Sequence, residues 1–178
     1  MNTVAKFEKV SYDQFKKDWL DTFYDVSETS IGVEEIENRI RRIYDNIKLP
    51  KRSTTGSAGH DIYSPCDFRI KAHSSILIPT GVNCFLKKDL VLFILPRSGL
   101  GTKNRFVPSN LVGVIDSDYI NSQNQGHIFM KMVNDGEEDT LLKQGQAFCQ
   151  GVIIKYYIAD NNEIISKRDG GFGSTDKI

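Results

Sequence analysis

From Lys51 onward the chain is built of short apolar runs separated by turn-forming residues, and that texture leaves few folds open. Ile76-Leu77-Ile78, Val91 to Leu95, Leu111 to Ile115, Ile128 to Val133 and Phe148 to Ile158 read as strands. Between them stand the turn signals Lys71-Ala72-His73, Lys87-Lys88-Asp89, Asn134-Asp135-Gly136 and Asp160-Asn161-Asn162. Many short strands at this spacing predict an all-β sandwich or barrel. Leu111 to Ile115 ends abruptly in Asp116-Ser117-Asp118, and a second β-type run follows from His127, so this stretch predicts a β-hairpin with a polar tip.

The first third of the chain has a different period. Ser11 with Gln14 three positions on forms a capping box. Tyr12, Phe15, Trp19 and Phe23 then recur at helical spacing over residues 11 to 25. Val33, Ile36, Ile40, Ile43 and Ile47 make a second stripe over 33 to 47, with acids and arginines around it. Ser27 to Gly32 is the turn between them, and Leu49-Pro50 closes the second helix. Both stripes read as core, two helices packed on each other or on the body, rather than as a cofactor box or a DNA-reading helix. The organisation predicted is a helical extension (1–48), a β core (49–165) and a glycine-rich tail (166–178).

A chain of 178 residues holds one ordinary domain and an appendage. Its 23 basic and 23 acidic residues cancel, so a nucleic acid or membrane partner is not expected, whereas a nucleotide needs only a few placed cations. Cys66, Cys84 and Cys149 are odd in number and lack metal-ligand spacing; they read as reduced thiols. With no signal peptide and no run of transmembrane length, the expected location is cytoplasmic.

Five polar-glycine islands punctuate the strands: Ser57 to Ser64, Pro96 to Lys103, the predicted hairpin, Gly145 to Gln150, and Arg168 to Thr175. Each alone reads equally well as a bland feature. Asp61 suits a turn acid, Ser98 a helix cap, Gln150 the filling of a strand edge, and the last glycines a plain tail. Arg97-Ser98-Gly99 also offers a cation, a hydroxyl and free backbone N–H groups, which suit a phosphate chain. Asp116 could act as a general base on water. The case for function rests on all five occurring together and in order.

Taken together, the islands resemble the five motifs of the trimeric deoxyuridine triphosphate nucleotidohydrolases, the dUTPases, over roughly residues 50 to 176. The resemblance implies a jelly-roll β fold, here with an N-terminal α-helical hairpin appended. It implies a homotrimer with sites shared between subunits, and hydrolysis of dUTP to dUMP and diphosphate with magnesium. On this reading Asp116 is the base, Arg97, Ser98 and Gly99 form the phosphate loop, and Gln150 is a further phosphate contact. Asp61 acts on the metal through water or on neighbouring side chains. Tyr119 lies under the deoxyribose, while Asn110 and the backbone around Val114, Ile115 and Phe129 read the uracil edge. Phe172 stacks over the uracil, Gly173 belongs to the same run, and Ser174 and Thr175 contact the γ-phosphate. The magnesium rides on the triphosphate with no direct protein ligand, which suits a hard ion that keeps its waters.

The sequence departs from the family pattern in four places. Ile120 to Gln125 lengthen the hairpin tip, His60 replaces a commoner apolar residue, and residues 1 to 48 lie outside the usual fold. In the fifth motif the family spacing picks Lys167 as the cation, whereas guanidinium chemistry picks Arg168, the residue favoured here. The tail is expected to close as a lid over bound nucleotide. Phage and prophage members of the family often carry such additions, so the resemblance extends to a phage or bacterial member, in the host cytoplasm if phage-encoded, and the helices offer a surface for a protein partner. Two rival functions remain open at this point: a dCTP deaminase of the same fold, and a nucleotide-switched regulatory binding protein.

Overall fold

The computed structural model describes residues 4–24 and 32–160. Strand β1 (Ala5–Lys9) is followed by helices α1 (Tyr12–Phe23) and α2 (Val33–Asp45). Strands β2 (Lys51–Arg52), β3 (His60–Tyr63), β4 (Phe68–Ile70), β5 (Ser74–Pro79), β6 (Val82–Leu86) and β7 (Leu90–Pro96) come next. Helix α3 (Ser98–Asn104) separates β7 from β8 (Phe106–Pro108) and β9 (Gly113–Ile115). A 3₁₀ turn (Tyr119–Asn121) precedes β10 (Phe129–Asn134), β11 (Thr140–Leu142) and β12 (Ala147–Lys155).

All described strand pairs are antiparallel. The largest sheet runs β2-β3-β12-β7-β9, a second runs β5-β10-β8, and β1 pairs with β6 and β4 with β11. Alternation along the strands directs one face of each sheet inward. Ile62, Ile78, Leu92, Ile94, Phe106, Ile128, Met132, Leu142 and Phe148 all fall within one core cluster and are essentially solvent-free. Every sheet contributes to it, as the predicted all-β architecture requires.

The helical region departs from expectation at its start. Residues 5 to 9, assigned by sequence to a helical extension, are strand: Phe7 pairs with Cys84 and the whole of β1 runs along β6. Alternation in Ala5-Lys6-Phe7-Glu8-Lys9 is the signal, with only two apolar members to carry it. Helix α1 is capped by Ser11, whose Oγ accepts from the Gln14 N–H at 3.2 Å. Phe15, Trp19, Ile36, Ile40 and Ile47 are buried together against Val82, with Phe68 packed on them, so both stripes serve as core. Lys16 and Glu37 join the two helices at 2.7 Å. Val33 is exposed, outside that core.

The hairpin expected at 110–133 does not form. After Ser109 the chain leaves β10, Leu111 turns through a left-handed conformation (φ 63°), and β9 pairs instead with β7, Phe93 opposite Val114. Leu111 and Val112 are exposed, so the apolar run that looked like one continuous strand is half crossover. The tip beyond Tyr119 is a wound loop. Gly126 (φ +68°) closes it where an added Cβ would meet the Ile120 Cα at 2.8 Å, a position only glycine tolerates.

Candidate active site

The register of the five-stranded sheet gathers one set of the expected residues. Gln150 of β12 stands opposite Asp61 of β3 on one side and Leu95 of β7 on the other. An irregularity in β12 between Ala147 and Cys149 sets this alignment. Arg97 follows directly at the end of β7. Its Nε lies 3.2 Å from Asp61 Oδ1 and its terminal nitrogen donates to the Ala147 carbonyl at 3.3 Å. Asp61 also accepts from the Ser53 hydroxyl at 2.7 Å, and Gln150 Nε2 donates to the Pro96 carbonyl at 3.1 Å. The guanidinium is therefore held from two sides while remaining substantially open to solvent. Burial, with the Asp61 carboxylate close by, pushes the Tyr63 phenol up, so this neighbour stays neutral.

Arg97 is the residue that caps α3, and its carbonyl accepts from the Gly101 N–H at 2.8 Å. Ser98 is the first residue inside the helix, and no side-chain hydrogen bond caps it. The capping role weighed for Ser98 is therefore not the one it has. Ser98 and Gly99 are exposed, and the space around the Gly99 Cα is open. A phosphate approaching here would meet a cation, a hydroxyl and unobstructed backbone.

Asp116 lies elsewhere. Leu92 pairs with Ile115, which puts Asp116 level with Val91, six residues before Arg97 on β7. At strand rise this separates the two by about 20 Å. Asp116, Ser117 and Asp118 line an open depression of about 440 Å³ whose other walls are Val91, Phe93, Val114 and Tyr156. Val91, Phe93 and Val114 give it an apolar floor on the sheet, the kind of surface on which a base or sugar can rest.

The remaining expected residues surround the 3₁₀ turn. Tyr119 is only 5 % exposed; its hydroxyl donates to the His127 carbonyl at 3.0 Å and accepts from Asn124 Nδ2 at 3.1 Å. Phe129 begins β10 with its ring 4.5 Å from that of His127. Ser109 bonds to Lys131 of β10, which brings the exposed Asn110 to the same end. Ile115 is buried, whereas Val114 is exposed. His60 is packed beside Phe7, ring centroids 5.4 Å apart. Lys167, Arg168, Phe172, Gly173, Ser174 and Thr175 lie outside the described residues, as does the lid expected of them.

Sequence reasoning missed His127 and Asp18. His127 is fully buried, with Nδ1 2.6 Å from Asp18 Oδ2 and Nε2 accepting from the Gly81 N–H at 2.8 Å. A signal was present for Asp18: it is an acid three positions after Phe15, on the buried side of an aromatic helix. Among the described residues no group of three or more His, Cys, Asp or Glu side chains could hold a metal ion. No described helix is long and apolar enough to cross a membrane.

A family model described as dUTPase matches residues 45–176. A deoxyuridine 5'-triphosphate nucleotidohydrolase of Lactococcus lactis is 41 % identical over 132 residues, 72 % of this chain and 88 % of its own length. The enzyme of that name from Haemophilus ducreyi is 36 % identical over 155 residues, 83 % of this chain and 97 % of its own. The crystal structure of a dUTPase from Streptococcus mutans superposes with a TM-score of 0.60 at 37 % identity, over 66 % of this chain and 91 % of that one.

Proposed function

The chain belongs to the dUTPase family and hydrolyses dUTP to dUMP and diphosphate, and we propose that it does so at sites shared between the subunits of a homotrimer. The observation that carries this reading is the separation of Asp116 from Arg97 by the length of β7. One subunit cannot bring both to one phosphorus atom. A second can, if its Arg97–Asp61–Gln150 end faces the Asp116 depression of the first.

Within such a site Asp116 polarises a water for in-line attack on the α-phosphorus and takes its proton, while the bond to the departing diphosphate breaks. Ser98 stands at that bond. Arg97, held by Asp61 and the Ala147 carbonyl, binds phosphate oxygens without first having to be ordered. Gln150 and Gly99 complete the phosphate end. Tyr119 packs against the deoxyribose, and Asn110 with the backbone of Val114, Ile115 and Phe129 reads the base. Phe172 and Gly173 cover the uracil; Ser174, Thr175 and Arg168 meet the γ-phosphate. The family implies magnesium, and Asp61, placed beside Arg97 at this end, would meet an ion carried by the triphosphate through water. When bound, the ion neutralises phosphate charge.

Mixing tests the shared site. Asp116→Asn and Arg97→Ala chains, each inactive alone, should recover part of the activity when refolded together, because some mixed sites inherit both intact residues. No recovery, or a monomer by light scattering, would count against it. For the fifth motif, Arg168→Ala should cost more turnover than Lys167→Ala; the reverse order would assign the cation to Lys167.

A further inference from the structure

Helix α1 lies outside the residues matched by the family model, yet it reaches the part of the chain that holds Tyr119. The contact is buried and polar. Because the Gly81 N–H points at His127 Nε2, that nitrogen must carry a lone pair, and the ring proton sits on Nδ1. Nδ1–H therefore donates to Asp18 Oδ2 at 2.6 Å, and the imidazole is neutral. Asp18 is 7 % exposed; Gln14 Nε2 also donates to its Oδ2, at 2.9 Å. His127 is thus gripped through both ring nitrogens, one by helix α1 and one by the turn before β6.

The same residue carries the acceptor for Tyr119. The His127 carbonyl takes the Tyr119 hydroxyl at 3.0 Å and Asn124 Nδ2 at 3.2 Å, and Asn124 Nδ2 also reaches the Tyr119 hydroxyl. Ser122 Oγ lies 2.6 Å from Asn124 Oδ1 and 2.7 Å from the Tyr119 carbonyl, its one proton serving either acceptor. A closed ring of bonds results, and its orientation depends on where His127 is fixed. A second link joins the same loop to the same helix: Gln125 Oε1 accepts from the Ser11 N–H at 2.9 Å.

We propose that Asp18 is a positioning residue for sugar selection: by anchoring His127 it fixes the carbonyl that orients Tyr119, so the added helix takes part in telling deoxyribose from ribose. This rests on the reading of Tyr119 as the residue that packs against the sugar.

The test uses the full chain and compares kcat/KM for dUTP with kcat/KM for UTP, by diphosphate release. Asp18→Ala should lower the dUTP preference by roughly three- to tenfold, the size of one lost hydrogen bond. Asp18→Asn keeps an acceptor oxygen and should restore most of it. Tyr119→Phe removes the hydroxyl through which Asp18 acts; it should lower the preference itself, and adding Asp18→Ala to it should change the ratio no further. Should Asp18→Ala fail to fold, Asp18→Leu, which fills the space of the carboxylate and offers no acceptor, carries the same expectations. A lowered melting temperature with an unchanged ratio would make Asp18 a structural brace only and overturn the proposal. An equal effect in the Tyr119→Phe background would overturn it too. If neither Tyr119→Phe nor Tyr119→Ala moves the ratio, the sugar-facing reading of Tyr119 falls and takes the proposal with it. If they move it and the Asp18 variants do not, the proposal alone falls.

Discussion

Gln125 caps helix α1 from the far side of the sequence: its Oε1 accepts from the Ser11 N–H at 2.9 Å and its Nε2 donates to Ser11 Oγ at 3.0 Å. In the capping box read from the sequence, Gln14 would reach back to that N–H. Gln14 turns instead to Asp18, and a residue of the loop before β10 fills the vacancy. Ser11→Ala removes the Oγ that caps the Gln14 N–H and takes Gln125 Nε2, and leaves the backbone N–H to Gln125 Oε1. The expected loss is about 1–2 kcal/mol, read from urea unfolding followed through the fluorescence of Trp19, the single tryptophan. An unchanged unfolding midpoint would show that the cap contributes nothing net.

Asp116→Asn should still bind dUTP and lose turnover by roughly 10²–10⁴-fold, the span of general-base contributions. Titration with a non-hydrolysable analogue separates binding from chemistry. Near-normal turnover would remove Asp116 from the role of base.

Gly59→Ala probes the proposed phosphate end without touching a charged group. An added Cβ would stand 2.5 Å from Gln150 Oε1, so the amide must swing away from the Pro96 carbonyl. The obstructing atom ends a flexible side chain, so the fold should survive. The kcat/KM for dUTP should fall roughly three- to tenfold, as for one hydrogen bond. Gln150→Ala in that background should add little. Two fully additive losses would mean that Gly59 and Gln150 act separately.

Burial pushes the Cys66 and Cys84 thiols up to about 12 from an ordinary 9.0, and burial raises Cys149 as well. The folded state therefore favours the neutral thiol. Its contribution is fully present below about pH 9 and is lost as pH rises toward about 12, because the unfolded chain gives up these protons first. Urea midpoints should fall over that window. At pH 8, iodoacetamide should label the native thiols far more slowly than the unfolded ones; rapid native labelling would contradict the burial.

Deleting residues 1–48 should cost more than the loss of an appendage. The deletion strips β1 from β6, uncovers Val82 and Phe68, and leaves the buried Nδ1–H of His127 without its carboxylate. The truncated chain should be poorly soluble or melt well below the full one. A stable, fully selective truncated enzyme would restore the simpler division into core and appendage.

Strand-rich texture, the two amphipathic helices and the order of the five islands were legible because each depends on local pattern. The pairing of β9 was not. Leu111 to Ile115 looks like one strand, and only the left-handed turn at Leu111, which no periodicity announces, sends its end to β7 rather than β10. Arg97, Asp61 and Gln150 were identified by motif, but their meeting needed the register of β12 between β3 and β7. His127 was invisible because a buried neutral histidine has no sequence signature. Its partner Asp18, an acid among aromatic neighbours, was the readable half of the pair.

The bonds that tie α1 to the loop before β10 join residues 109 and 114 positions apart. On the ribosome, α1 is made early, while the carbonyl ring around Tyr119 and the glutamine that caps the helix are made late. Until residue 127 has emerged, Asp18 is a carboxylate on an aromatic helix face with no imidazole to receive it. Contacts this distant in sequence slow folding, since the loop must close before it is rewarded. The N-terminal helices are therefore synthesised first and should lock last. Their docking would mark the end of folding rather than its beginning.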